Sequence, residues 1–269
     1  MIRINIFCFG FGQVAKNFIY NLKQNKVNFY LSSTTREKTG EKKLKDINYK
    51  NFNFSENDYD KTLIEDLEKA DYILISIPPI GGKDIVLENL GKIFQKYKSK
   101  KITYLSATSV YGNHNGGWVD EKSETRPNSK NGIERLKVEN SWMEMYKKYN
   151  LSVQILRLSG IYSNQFSILH RLKSGEAKII KKENHFFSRI HTEDIANVLF
   201  KSLNNFRGGE IYNISDDKPA SSEEVLMYGV KLLGIEKPET VEVTKLESEM
   251  LKNFYKDSKK VSNKKMKKF

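Results

Sequence analysis

The sequence predicts an α/β fold, a doubly wound parallel sheet with a small lid in its C-terminal part. Three observations carry this. A β-patterned stretch, Ile2 to Phe9, runs into Gly10-Phe-Gly12-Gln-Val-Ala15 and then into Val14, Phe18, Ile19 and Leu22 at helical spacing. Further short apolar strands alternate with amphipathic helices, as a parallel sheet covered on both faces requires. No internal repeat or low-complexity linker divides the 269 residues, so the lid is expected to be interleaved with the core.

The first turn has the spacing G-x-G-x-x-A. Gly10 permits the tight turn, Gly12 lets backbone approach a pyrophosphate, and Ala15 lets the helix pack close to the strand. The helix start, at Gln13 and Val14, turns free N–H groups toward phosphate. A dinucleotide site is therefore expected here. Val27 to Leu31 read as the second strand. Beyond it stand Ser33, Thr34, Thr35 and Arg36, with no acid before Glu37. Hydroxyls and a planar guanidinium suit a 2′-phosphate, so NADP is expected, with Glu37 keeping NAD open.

Asn51 to Phe54 read as a weak third strand and Thr62 to Lys69 as a short helix. Tyr72 to Ile77 read as the fourth strand, stopped by Pro78-Pro79. Asp84 to Tyr97 follow as a helix with Val86, Leu90, Ile93 and Phe94 inward, and Ile102 to Leu105 as the fifth strand. A polar loop spans Asn113 to Asn131. A helix runs from about Gly132 to Tyr149, then the sixth strand from Leu151 to Leu158. Ile211 to Ile214 read as a returning seventh strand. The expected division is thus a core over 1–158 with that strand, and a mostly lid-forming 159–269.

Composition narrows the function classes. The 38% hydrophobic content supports a packed core, and no run approaches the ~18 apolar residues of a membrane span. The apolar N-terminal stretch is already used by strand and turn, so no signal peptide is expected. The single Cys8 lies in the first strand, no disulfide can form within the chain, and a reducing cytoplasm is the expected compartment. The net charge is +13, and eight lysines against Asp257 alone stand between Lys252 and Phe269. Without a nucleic-acid module or interleaved aromatics, this reads as a solvated basic surface, and no nucleic-acid partner is expected. No Cys or His cluster has metal-ligand spacing.

The fifth strand ends in Leu105-Ser-Ala-Thr-Ser-Val-Tyr-Gly112. With Ser76-Ile-Pro-Pro79, Arg157-Leu-Ser-Gly-Ile-Tyr162, Ser188-Arg-Ile-His-Thr-Glu-Asp-Ile-Ala196 and Gly209-Glu-Ile-Tyr-Asn-Ile-Ser-Asp-Asp217, it resembles the short-chain dehydrogenase/reductase superfamily in its extended, epimerase/dehydratase-like form. The resemblance implies a Rossmann-type fold and a nicotinamide cofactor touched also by Ile77, Pro78 and Ser106. It also implies a small hydroxyl or keto substrate, with nucleotide-linked ones among the candidates, and leaves a homodimer open. Family enzymes hold the substrate oxygen with a Ser or Thr after the fifth strand and move the proton with a Tyr-x-x-x-Lys pair. Here those positions hold Ala107, Asn131 and Arg135. Asn carries no titrating proton and Arg stays protonated.

Replacements for the relay are expected among Thr108, Tyr111 and His114, in the order Tyr111, Thr108 through water, His114; Tyr162 is a further phenol on a loop facing the site. His191 is expected at a structural junction, with Thr192 capping the next helix. Asp257 to Asn263 resembles the family's last helical element. Two functions stay open at this point: an oxidoreductase or epimerase/dehydratase, and a non-catalytic NADP-binding sensor.

Overall fold

A computed structural model describes residues 3–269; Ile2, the first residue of the expected opening strand, lies outside them. The chain opens with β1 (Ile4–Phe9), α1 (Gln13–Gln24) and β2 (Phe29–Thr35). Next come β3 (Gly40–Leu44), β4 (Ile47–Asn53), α2 (Leu63–Lys69), β5 (Tyr72–Ile75) and α3 (Ile85–Phe94). β6 (Lys101–Ala107) leads through a short 3₁₀ turn, Thr108–Tyr111, to β7 (Trp118–Val119), α4 (Lys130–Tyr149) and β8 (Ser152–Leu158). Then follow β9 (Gly160–Tyr162), α5 (Ile168–Lys173), β10 (Ile179–Lys181), β11 (Arg189–His191), α6 (Thr192–Asn204) and β12 (Ile211–Ile214). The last elements are α7 (Ser222–Leu233), β13 (Thr240–Glu242), α8 (Glu249–Lys256) and β14 (Lys260–Val261).

Eight strands form one sheet in the order β12-β8-β6-β5-β1-β2-β4-β3. Every pairing is parallel except β3 with β4. The order reverses at β1, and the carboxyl ends of its neighbours there make the crevice in which open α/β sheets bind ligands. β1 shows why both faces must be covered. Ile6 and Cys8 enter a core with Phe18, Ile19 and Leu22 of α1 and Ile195 and Leu199 of α6. Phe7 and Phe9 enter the opposite core with Leu63, Val86, Leu90, Phe94 and Trp142. Alternate side chains of one strand thus feed two apolar layers, as a sheet buried on both sides demands.

The Rossmann-type sheet agrees with the expected fold class. The second strand runs later than expected, because the Val27 N–H bonds Leu22 O and closes the exit from α1. α6 joins β12 in returning to the core. A smaller cluster of Leu172, Ala177, Ile179, Leu226 and Val230 joins α5, β10 and α7 outside the sheet. The tail is corrected too: residues 257–263 are largely extended, with β14 paired to β7, and are not a helix. Among the described residues, no helix is long and apolar enough to cross a membrane, and no group of three or more His, Cys, Asp or Glu could hold a metal ion.

Candidate functional site

Two adjoining clefts open at the carboxyl ends of the strands. The first, about 550 Å³, begins at the glycine turn and is lined by Gly10, Gly12, Thr34, Thr35, Arg36, Ile77 and Pro78. Gly10 has φ +82°, and a Cβ there would lie 2.8 Å from Ser76 Oγ. Its N–H donates to Thr34 Oγ1 at 3.0 Å, while Ser76 Oγ donates to Gly10 O at 2.9 Å, so both neighbouring strands hold the turn. Around Gly12 the space is open: a Cβ would meet nothing within 4 Å. No side chain caps α1 at Gly12, and its first turn carries no acid. The N–H groups and positive end of the helix dipole are therefore free to face an anion.

Arg36 is exposed on the lining. Glu37 is paired with Lys42 Nζ at 3.1 Å and does not line the cleft. Three other expected residues turn their side chains elsewhere, while Gln13 and Val14 keep their backbone in the first turn of α1. Gln13 Nε2 donates to Ser163 Oγ at 3.0 Å, Val14 packs against the core, and Ser106 Oγ is buried at the end of β6 with no hydrogen-bond partner among the described residues. Sequence reasoning missed Phe11, Phe54 and Glu56 on this lining. The loop after β4 carries Glu56, and its place at a strand's carboxyl end was the available signal.

The second cleft, about 880 Å³, adjoins the first at Pro78, which lines both. Ala107, Thr108, Asn131, Arg135 and Tyr162 line it. Arg135 donates from Nη1 to Leu105 O at 2.9 Å, which fixes its guanidinium against the end of β6. Tyr162 packs its ring beside His191, with centroids 5.1 Å apart.

Tyr111 is a correction. It is fully buried and lines neither cleft. Its hydroxyl donates to Asn213 Oδ1 at 2.8 Å and accepts from Arg157 Nη1 at 2.9 Å. Burial raises the phenol's pKa, against the pull of Arg157. Arg157 in turn is paired with buried Glu139 at 2.7 Å. The phenol is a strut of the core. His114 is likewise engaged, with Nε2 3.1 Å from Tyr111 O and 3.2 Å from Glu124 O, holding the polar loop. The α6 cap is His191 itself, whose Nδ1 accepts from Glu193 N at 3.3 Å, and not Thr192.

The lid side of the second cleft holds residues the sequence did not single out: Phe187, Arg189, Phe254, Asp257 and Lys259. Phe187 and Phe254 stack at 4.1 Å. Arg189 Nη1 donates to Ala220 O at 3.2 Å. Lys259 is 9% exposed, its Nζ donates to Gly112 O at 3.0 Å, and Asp257 Oδ2 lies 3.6 Å away. Burial lowers the ammonium's pKa, and Asp257 opposes that shift.

Residues 85–215, from α3 through β12, match the model of the NAD dependent epimerase/dehydratase family. The matched stretch is just under half of the chain. It supplies β6, α4 and β8, one side of the second cleft; the glycine turn precedes it. Protein YeeZ of Escherichia coli (strain K12) is 27% identical over 186 residues, covering 65% of this chain and 64% of that protein, so the match spans just under two thirds of that relative's length. A functionally unknown conserved protein from Silicibacter pomeroyi DSS superposes with a TM-score of 0.84 at 28% identity, covering 98% of this chain and 91% of that one. The dTDP-glucose 4,6-dehydratase of Bacillus anthracis, solved in complex with NAD, superposes with a TM-score of 0.77 over 98% of this chain and 89% of its own. At 20% identity that likeness is one of fold.

Proposed function

We propose that this chain binds a nicotinamide dinucleotide in the first cleft, NADP in preference to NAD, and receives a hydroxyl- or keto-bearing substrate in the second. The reading is that of an oxidoreductase or epimerase/dehydratase working without the usual Tyr and Lys. One observation carries it: an uncapped, acid-free helix N-terminus behind Gly12 opens into a cleft that joins a second, larger one at Pro78. The residues suit the dinucleotide. Gly12 leaves room for a pyrophosphate, the first turn of α1 offers N–H groups to it, and Arg36 can meet a 2′-phosphate. When bound, the cofactor would supply hydride chemistry. In the second cleft Thr108 is placed to hold a substrate oxygen, directly or through water, and Arg135 to keep a fixed positive charge near it.

Glu56 on the first lining favours NAD, since a carboxylate can accept from a ribose 2′-OH. Asn131 and Arg135 in the usual relay places favour the alternative of a non-catalytic sensor. Titration followed by nucleotide fluorescence separates these. Gly12→Asp should abolish binding of NADPH and NADH alike while leaving the fold intact, because the carboxylate would occupy the pyrophosphate's space. Arg36→Ala should weaken NADPH far more than NADH, by about tenfold to a hundredfold, the worth of a charged hydrogen bond of ~1.5–3 kcal/mol. Equal weakening of both would remove Arg36 from the 2′-phosphate. Tight NADPH binding with no turnover on a broad carbonyl and sugar-nucleotide panel would select the sensor.

A further inference from the structure

We propose that Asp257 and Lys259 form an oxygen-binding, proton-donating pair in the second cleft, facing the ligand's carbonyl or hydroxyl oxygen. The proposal rests on the reading that this cleft receives the substrate. Both residues line it, and their side chains are 12% and 11% exposed. An ammonium has three N–H donors. Lys259 directs one to Gly112 O at 3.0 Å and holds Asp257 at 3.6 Å, which leaves a third for the cleft. Asp257 Oδ1 is buried with no hydrogen-bond partner among the described residues. The spare Lys259 donor suits a ligand oxygen, and the Asp257 carboxylate beside it favours the charged, proton-bearing form of the amine.

The backbone holds the pair firmly. Ser258 N–H donates to Asn113 Oδ1 at 3.0 Å, and Lys259 N–H to Phe186 O at 3.3 Å. The surrounding charges are Asp257 itself, His185 and Lys182 behind it, Lys260 turned onto the Phe186 ring at 4.5 Å, and Lys130, Glu134, Arg135 and Arg189 around the cleft. Burial makes Lys259 a readier proton donor than an exposed lysine. In the step, the Nζ–H bond breaks as an O–H bond forms on the ligand, and the neutral amine regains its proton from water. Neither Asn131 nor Arg135 can supply that proton.

The test uses the full chain and pyridoxal 5′-phosphate as a carbonyl probe, with borohydride to fix the imine and peptide mass mapping to locate it. As pH rises from about 6 to 10, Lys259 should label at a lower midpoint than exposed Lys130. Lys259→Arg keeps the charge and should lose that label while still binding NADPH. An unlabelled Lys259 beside a labelled Lys130, or equal midpoints for the two, would overturn the pair. If Lys259→Arg does not fold, the wild-type midpoints decide alone. NADPH fluorescence on the same preparation separates the two readings: labelling without NADPH binding removes the dinucleotide site and leaves the pair standing, and NADPH binding without labelling does the reverse.

Discussion

At the scale of single residues, what a side chain touches decides between a chemical and a structural role. Tyr111 illustrates this. Its position after the fifth strand suggests a proton donor, yet its hydroxyl joins Arg157 and Asn213 in a buried network. Tyr111→Phe leaves an Arg157 N–H and Asn213 Oδ1 short of a partner. The expected loss is ~1–3 kcal/mol of stability in urea titrations, with cofactor affinity unchanged and no selective fall in kcat. A large kcat loss at unchanged stability would return Tyr111 to the chemistry. The glycine turn was legible in the sequence because its geometry is local: Gly10, Gly12 and Ala15 lie within two helical turns of one another. Asp257 and Lys259 were not. Lys259 meets Gly112 only because the C-terminal segment folds back across it, and no spacing in the sequence records that contact.

At the scale of elements, most strands and helices were readable from apolar periodicity, and the differences have physical causes. β2 continues through Ser32–Thr35 because those hydroxyls find partners: Thr34 Oγ1 accepts from Gly10 N, and Ser33 Oγ donates to Asn51 Oδ1 at 3.3 Å. Polar residues with satisfied hydroxyls carry no apolar signal. β3, Gly-Glu-Lys-Lys-Leu, is an antiparallel edge strand whose lysines suit a guarded edge and hide it from hydropathy. Asp257 to Asn263 resembles a helical element, but pairing with β7 draws Lys260–Val261 out as β14. Asn263 then donates to Ser215 O at 2.8 Å and to Asp217 Oδ1 at 2.7 Å, and Phe269 packs on Tyr212. Asn263→Ala should therefore cost ~1–3 kcal/mol, since a buried carbonyl loses its donor. Removing Lys256 to Phe269 should lower the melting temperature further and leave NADPH binding at the glycine turn in place. An unchanged melting temperature on truncation would mean that the tail does not brace β12.

At the scale of the whole molecule, the carboxyl ends of the sheet's strands and the loops after them line both clefts, and the segments after β8 add a second wall to the larger one alone. The tail lysines serve that architecture: Lys265 bonds Glu210 at 2.5 Å and Ile211 O at 2.6 Å, tying the chain's end to β12. The lid wall also carries a pH-sensitive group. His185 is 2% exposed between Phe187 and Tyr255, with ring centroids at 4.6 and 4.9 Å. Burial first, then the positive charges of Lys182 and Lys259, push its pKa down to about 4. A folded-state pKa below the unfolded value means that the unfolded chain takes up the proton first. The stability His185 confers is thus complete above its ordinary value of about 6.5 and is lost as pH falls from there toward 4. At ~1.4 kcal/mol for each pH unit between the two values, less some solvent screening, the loss across that window should be on the order of 2 kcal/mol. Carboxylates titrate in the same range, so the readout is a difference: thermal melts of wild type and His185→Phe at about pH 7 and about pH 4.5, on either side of most of that window. Phenylalanine keeps the ring packing and removes the proton site. The variant should lose less stability on acidification than wild type, and equal losses in the two proteins would show that protonation of His185 does not unsettle the lid.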